Sequence, residues 1–173
     1  NTLVVFTSDN GPWLRYGDHG GSAGLLREGK GTFFEGGYRV PGIISWPGTI
    51  EQGVVNDKFA STIDLLPTFA KLAGAKLPKK RPVDGKNIQA LLLGKEGDKY
   101  NRNFLYWAGH RLAAVRSGKW KLVFPGTYVV WSGGGAGLPG HGQSRESIEL
   151  SLFNLDADVG ETTNVIDKHP KVV

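Results

Sequence analysis

The chain has 173 residues, 26 of them glycine, no cysteine and a formal net charge of +5 at pH 7. The lack of cysteine excludes disulfides, the aperiodic glycines exclude a collagen-like chain, and no run of about 18 apolar residues is present that could span a membrane. The positive charge does not indicate a nucleic-acid-binding protein, because its main basic run, Lys76–Arg81, falls in a predicted loop and lacks the aromatic residues of RNA-binding signatures.

The first predicted element is a strand over residues 2–8. Its apolar run, Leu3–Phe6, is typical of a strand buried in a parallel sheet. A glycine-punctuated loop over residues 9–37 follows, and a loop of this length in a compact domain is usually functional. Residues 38–46 are predicted to contain a second strand, which ends at the turn-forming pair Pro47-Gly48.

A helix is predicted from Asp64 to Ala73. Asp64 is a suitable N-cap, and Gly74 provides a C-terminal stop. The apolar positions of this helix share one face, as in a helix docked on a sheet: Leu66, Phe69, Ala70 and Ala73. A shorter helix is predicted from Ile88 to Leu93.

The composition turns polar around residues 95–102, where we place a boundary. Residues 1–100 are predicted to belong to an α/β domain and residues 101–173 to a small antiparallel subdomain. Strand-like patterns in the second part occur at residues 104–107, 112–116, 119–124 and 150–155. The glycine-rich stretch 125–147 is predicted to be a mobile surface loop.

Polar residues follow the first strand directly. In open α/β sheets ligands bind at the carboxyl ends of strands, so Asp9 and Asn10 stand where chemistry is expected. Their carboxylate and amide oxygens suit a hard divalent cation such as Ca²⁺ or Mg²⁺. Lys30, in the same loop, could hold an anionic substrate beside that metal.

The sequence of this loop is compatible with two other interpretations. Asp9-Asn10-Gly11 also suits a simple turn, and two oxygen ligands cannot hold Ca²⁺, which takes roughly six to eight. The run Gly24–Thr32 nearly matches a nucleotide-binding phosphate loop, but Gly31 replaces the metal-binding Ser or Thr and no helix-forming run follows. We therefore reject nucleotide binding.

The segment over residues 6–48 carries several motifs in a fixed order: S-D-N-G after a strand, G-K-G-T, E-G-G-Y-R-V-P and W-P-G. Together they resemble the type I sulfatases, most closely the branch of arylsulfatase A and N-acetylgalactosamine-6-sulfatase. The similarity continues through residues 61–68, 114–121 and 152–155, and thus covers nearly the whole chain.

The resemblance implies an alkaline-phosphatase-like α/β sulfatase fold, here the C-terminal portion of the central sheet plus a small antiparallel β subdomain. It also implies hydrolysis of an aryl or sugar sulfate ester to alcohol and inorganic sulfate. Asp9 and Asn10 would be ligands of a divalent metal, Ca²⁺ before Mg²⁺, and Lys30 a catalytic residue that contacts the sulfate. The family further implies an extracytoplasmic location.

The chain departs from the family pattern at the nucleophile. Type I sulfatases make a formylglycine from the Cys or Ser of a C/S-x-P-x-R motif, and neither cysteine nor an S-x-P-x-R sequence occurs here. We therefore expect a C-terminal fragment, inactive alone, whose partner is the remaining N-terminal part of the sulfatase or a second copy of itself. The alternatives are a phosphodiesterase or phosphonate hydrolase of the same superfamily, and a non-catalytic remnant or binding module.

Four other polar residues are weaker candidates for the site. Two histidines are candidate substrate contacts: His19, in the glycine-rich loop, and His110, between two predicted strands. The alternative is that each serves only packing and local hydrogen bonds. Glu35 and Arg39 bracket Gly36-Gly37, and an internal ion pair between them is expected.

Overall fold

The computed structural model describes residues 2–95, 102–132 and 142–173, which fall into two compact units. The described part of the first unit comprises residues 2–7 and 42–95, and that of the second residues 8–41, 102–132 and 142–173. One boundary between the units falls before Arg102, next to the predicted division at residue 100, but the loop over residues 8–41 groups with the C-terminal strands and not with the strand before it.

The first unit contains a two-stranded ribbon. β1 (Val4–Thr7) pairs antiparallel with β2 (Gly42–Ser45), so that Phe6 lies opposite Ile43. Both predicted strands are present, but β1 is not a buried parallel strand within the described residues. Its only partner there is antiparallel, and Val4 and Phe6 are exposed.

The helical part of the first unit surrounds a buried aspartate. A 3₁₀ turn, Thr62–Asp64, leads into α2 (Leu65–Leu72), and α3 (Gln89–Leu92) follows later in the chain. The carboxylate of Asp64 accepts hydrogen bonds from the backbone N–H groups of Ser61 and Lys86, each at 2.8 Å. Asp64 therefore joins the start of the helix to the segment that precedes α3.

One expectation about this helix is confirmed in position and the other is wrong. Asp64 is the N-cap residue of α2, but its side chain makes no cap hydrogen bond to the helix, since its oxygens accept from the two N–H groups just described. The predicted apolar face is also not the buried one, because Leu66, Phe69 and Ala73 are exposed while Pro67 and Thr68 are buried.

The second unit is built on a four-stranded antiparallel sheet in the order β3-β4-β5-β8. Its strands are β3 (Asn103–Ala108), β4 (Arg111–Ser117), β5 (Trp120–Val123) and β8 (Ser151–Asn154). This sheet confirms the four strand patterns found in the sequence. A hairpin of β6 (Gly126–Ser132) and β7 (Gly142–Ile148) lies between β5 and β8 in the chain.

The hairpin corrects the predicted mobile loop over residues 125–147. Only residues 133–141 of that prediction lie outside the described residues; the flanking segments form seven paired positions of an antiparallel ladder. The β6 sequence, Thr-Tyr-Val-Val-Trp, is rich in β-branched and aromatic residues, which fit a pleated surface.

The loop over residues 8–41 packs on the core of this unit. It contains a 3₁₀ segment, Leu14–Gly20, interrupted at Gly17, and one helical turn, α1 (Glu35–Tyr38). Phe33 and Phe34 bring this loop into the buried cluster formed with residues of β3, β4, β5, β6 and β8. None of the described helices is long and apolar enough to cross a bilayer.

Candidate functional site

The site begins with backbone segments that approach closely because their residues are glycines. The N–H of Gly11 donates to the carbonyl of Gly37 (3.0 Å), and the N–H of Lys30 donates to that of Pro12 (2.9 Å). A Cβ at Gly11 would overlap the carbonyl of Gly36, and one at Gly29 would overlap that of Pro12. These contacts bring Lys30 beside the residues that follow β1.

The glycine before Lys30 therefore has a different role from the one its motif suggested. In the motif G-K-G-T, glycines on both sides of the lysine suggest a backbone that can approach an anion closely. Gly29 is buried against Pro12 and Leu14, whereas Gly31 has a φ of +90° and open space beside it. Gly29 serves chain packing, and only Gly31 borders open space.

One recess of about 680 Å³ brings together the three main candidates. Asp9, Asn10 and Lys30 all line it, together with the exposed side chain of Arg39. All of these residues belong to the second unit. An acidic and an amide oxygen donor therefore share one concavity with two cationic side chains.

The predicted histidines do not join this group. His19 is exposed on the 3₁₀ segment Leu14–Gly20, and His110 is exposed in the turn between β3 and β4. Neither belongs to the described lining of the recess. Their contact with substrate stays a prediction.

The expected ion pair between Glu35 and Arg39 is wrong, because Glu35 is buried and turned toward the sheet. Its carboxylate accepts from Arg116 (3.1 Å), from Lys121 (3.1 Å) and from the hydroxyl of Tyr106 (2.7 Å). Sequence reasoning missed these partners, since they lie more than 70 residues away in the chain. Arg39 is left to line the recess.

A second carboxylate completes this buried charge cluster. Lys121 is fully buried, and its Nζ lies 2.8 Å from Oε1 of Glu161, which is also fully buried. The other oxygen of Glu161 accepts the backbone N–H of Glu35 at 2.6 Å. Glu35, Glu161, Lys121 and Arg116 carry two charges of each sign, so the cluster is neutral when all are ionised.

The two glutamates respond differently to this environment. Burial raises the pKa of Glu35, but Lys121, the Tyr106 hydroxyl and Arg116 outweigh it and leave the pKa below its ordinary value. Burial raises the pKa of Glu161, and Lys121 together with the backbone N–H of Glu35 lowers it too little to reverse the shift. The cluster fixes α1, and thereby the end of the loop that carries Lys30, to the sheet.

Arg27 adds a second attachment of the loop. It donates to the backbone carbonyl of Glu161 (2.8 Å) and to the hydroxyl of Tyr128 (2.7 Å), and its guanidinium lies 4.0 Å from the centre of the Phe34 ring. Because Arg27 is three residues from Lys30, these contacts restrict the position of the Lys30 backbone. We regard both attachments as devices that position the site.

The donors present match a divalent cation in kind but not in number. Asp9 and Asn10 offer hard oxygen ligands at the recess. Over residues 2–95, 102–132 and 142–173, however, no group of three or more His, Cys, Asp and Glu side chains is arranged to hold a metal. This chain can therefore supply part of such a site, and the formylglycine does not fit any residue of it, because no cysteine and no S-x-P-x-R motif is present.

Comparisons with a family model and with curated proteins point to the same family. Residues 1–75 match the family model described as Sulfatase. Arylsulfatase A of Bos taurus is 43% identical over 99% of this chain and 34% of its own length. N-acetylgalactosamine-6-sulfatase of Mus musculus is 35% identical over 99% of this chain and 38% of its own length. The chain thus spans about a third of the length of these curated relatives.

Solved structures show the same relationship. The crystal structure of the sulfatase PsFucS1 from Pseudoalteromonas sp. superposes with a TM-score of 0.75 at 30% sequence identity, covering 95% of this chain and 32% of that one. The fold is accordingly that of the α/β, alkaline-phosphatase-like sulfatases, as the motifs implied. On these matches, and on the motifs that line the recess, the chain belongs to the sulfatase family.

Proposed function

We propose that this chain forms part of the active site of an enzyme that hydrolyses an aryl or sugar sulfate ester to an alcohol and inorganic sulfate. The single observation that carries the proposal is the recess shared by Asp9, Asn10 and Lys30. A metal-ligating pair and a cation in one concavity are suited to an anion that is polarised and held during attack. Sequence identity of 35–43% to curated sulfatases supports this reaction class.

Each residue has a distinct task in this proposal. Asp9 and Asn10 would hold a divalent cation, Ca²⁺ or Mg²⁺, whose chemistry when bound is Lewis-acid polarisation of the sulfate. Lys30 would bind sulfate oxygens and oppose the negative charge that develops as the ester oxygen leaves. Arg39, which the sequence suggested only as an ion-pair partner of Glu35, would add positive potential at the same recess.

The rest of the reaction needs residues that this chain does not provide. A formylglycine nucleophile and further metal ligands would come from other parts of the enzyme, and we expect the 173-residue chain alone to be inactive. The phosphodiesterase or phosphonate hydrolase alternative is disfavoured by the 35–43% identity to curated sulfatases. The binding-module alternative does not explain why Asp9, Asn10 and Lys30 share a recess. The extracytoplasmic location stays a prediction.

The role of Lys30 can be tested against a matched lysine. Lys30 and Lys119 are both exposed, and each Nζ lies 5.4 Å from the centre of a tryptophan ring. In the enzyme that contains this chain, Lys30→Ala should lower kcat for a chromogenic aryl sulfate by roughly a hundredfold, the scale of losing one strong contact to a transition state. Lys119→Ala should leave kcat unchanged.

The kinetic constants separate two versions of this role. If Lys30 binds the ground state and the transition state equally, KM rises and kcat holds. A Lys30→Ala enzyme with near-normal kcat/KM would contradict the site assignment.

The role of Asp9 is tested by metal dependence. Asp9→Ala removes a charged ligand and should weaken divalent-metal binding, so that activity recovers in part when Ca²⁺ or Mg²⁺ is added. Asp156→Ala, an exposed aspartate in the turn after β8, is the control and should keep the metal titration unchanged. Equal metal dependence of the Asp9→Ala and unmodified enzymes would remove Asp9 from the metal site.

A further inference from the structure

Lys30 borders a second, smaller recess, and Trp13 also lines both recesses. This recess has a volume of about 240 Å³, and the residues that line it are Trp13, Lys30, Gly31, Thr32, Val129 and Trp131. It brings the glycine-rich loop together with β6, both within the second unit. Lys30 is thus shared by a recess that holds the candidate metal ligands and one that is mainly indole and aliphatic surface.

The two tryptophans are held in place by their neighbours. Trp13 packs edge to face against Tyr16, with ring centres 4.6 Å apart, and its carbonyl accepts the N–H of Tyr16. Trp131 is part of the β6–β7 ladder, paired with Gln143. The ring contact of Trp13 and the ladder pairing of the Trp131 backbone restrict both residues, which lowers the cost in conformational freedom of binding a ligand.

Each tryptophan of the recess also has a cation beside it. Nζ of Lys30 lies 5.4 Å from the centre of the Trp13 ring, and Cζ of Arg15 lies 5.3 Å from that of Trp131. Arg15 is exposed. Two indole rings with two cations form a surface suited to a flat ring that carries more than one anionic group.

We propose that the smaller recess is a subsite for the alcohol part of the sulfate ester, and that it selects a ring bearing a second anionic group. The sulfate would lie at Lys30 on the side of Asp9 and Asn10, while its ring would rest against Trp13 and Trp131. Arg15 would bind the second anion, as on a multiply sulfated or carboxylated sugar. This inference rests on the proposed function, because it assigns the sulfate to Lys30.

The size of the recess agrees with one ring. Pockets for drug-sized ligands span about 300–1,000 Å³, so 240 Å³ suits a single ring and not an extended chain. An aryl ring and the C–H face of a pyranose ring both offer apolar surface against which an indole can pack. The second cation favours the sugar, because a simple aryl sulfate has only one anionic group.

The test compares four esters in the enzyme that contains this chain: 4-methylumbelliferyl sulfate, a monosulfated monosaccharide, a disulfated disaccharide and the acyclic ethyl sulfate. Trp131→Ala should raise KM for the three ring-bearing esters by roughly five- to tenfold, the scale of one lost aromatic contact, and leave ethyl sulfate unchanged. Trp107→Ala, an exposed tryptophan of β3 outside the recess, is the control and should change none of them.

Arg15 has its own readout. Arg15→Ala should raise KM for the disulfated sugar alone, and this selectivity should fade at high salt because exposed charges are screened. An equal effect on the monosulfated sugar and on the disulfated one would overturn the second-anion role. Wild-type constants for Trp131→Ala on every ring-bearing ester would overturn the subsite.

A binding measurement distinguishes failure of the proposed sulfatase activity from failure of the proposed ring subsite. Saturation-transfer NMR on this chain with the disulfated disaccharide should show ring-proton contact that Trp131→Ala reduces and Trp107→Ala does not. If the unmodified enzyme releases sulfate from none of the esters, the proposed function fails, and the NMR result still decides the subsite. Lack of ring-proton contact in the unmodified, folded chain would overturn it.

Discussion

Glu35 shows how a residue of a family motif can support a site without touching it. It lies in E-G-G-Y-R, yet its carboxylate faces Lys121, Arg116 and Tyr106 inside the second unit. Removing one partner of a buried ion pair commonly costs about 3–5 kcal/mol, because the remaining charge stays buried. We therefore assign Glu35 a positioning role for the loop that carries Lys30.

The pH dependence of stability separates the two buried glutamates. The pKa of Glu35 is lowered from 4.5, so its stabilising contribution is present above pH 4.5 and is lost as the pH falls through the folded value. The pKa of Glu161 is raised from 4.5, so its contribution is present below pH 4.5 and is lost as the pH rises through the folded value.

Replacing each buried glutamate by glutamine should reduce the pH dependence of the unfolding free energy, in a different pH range for each residue. In denaturant unfolding of this chain at a series of pH values, Glu35→Gln should reduce the loss of unfolding free energy below pH 4.5. Glu161→Gln should reduce the loss of unfolding free energy that sets in as the pH rises above 4.5. Glu149→Gln, an exposed glutamate, is the control and should retain both slopes. An unchanged acid limb in Glu35→Gln would show that this carboxyl is not shifted.

At the scale of elements, local patterns predicted most strands and helices. Alternation and turn residues located β3, β4, β5 and β8, and the capping and stop residues around α2 placed it within one residue at each end. These features depend on neighbours in the chain, which a sequence displays directly. The glycines at 133–135 instead led to the prediction of a loop over residues 125–147. The flanking strands β6 and β7 are defined by their pairing with each other, which the local sequence does not display.

The sequence predicted only those residues of the site that a local pattern or a motif marks. Asp9 and Asn10 could be placed at the end of β1 from its apolar run, and the family motifs indicated Lys30. The partners of Glu35 and the indole of Trp131 come from distant segments, and no periodicity links them to the loop. Close backbone approach at Gly11 and Gly29 likewise depends on segments about 20 residues apart.

At the scale of the whole molecule, the first unit presents apolar side chains to solvent. On one face of the β1–β2 ribbon, Phe6 is 61% exposed and its cross-strand neighbour Ile43 is 62% exposed. On α2, Leu66 is 60% exposed. A two-stranded ribbon is only marginally stable in water, and large exposed apolar patches commonly mark interfaces. We propose that the rest of the sulfatase, or a second copy of this chain, covers these residues.

Light scattering on the purified chain tests this proposal directly. We expect self-association that increases with concentration, because burial of apolar surface favours association by roughly 25 cal/mol per Å². Phe6→Lys should reduce the association by placing a charge within the ribbon face. Leu25→Lys introduces the same charge at a leucine of the second unit that is 84% exposed, and it should associate as the unmodified chain does. A folded monomer at all concentrations, with Phe6→Lys indistinguishable from it, would show that the ribbon face needs no cover.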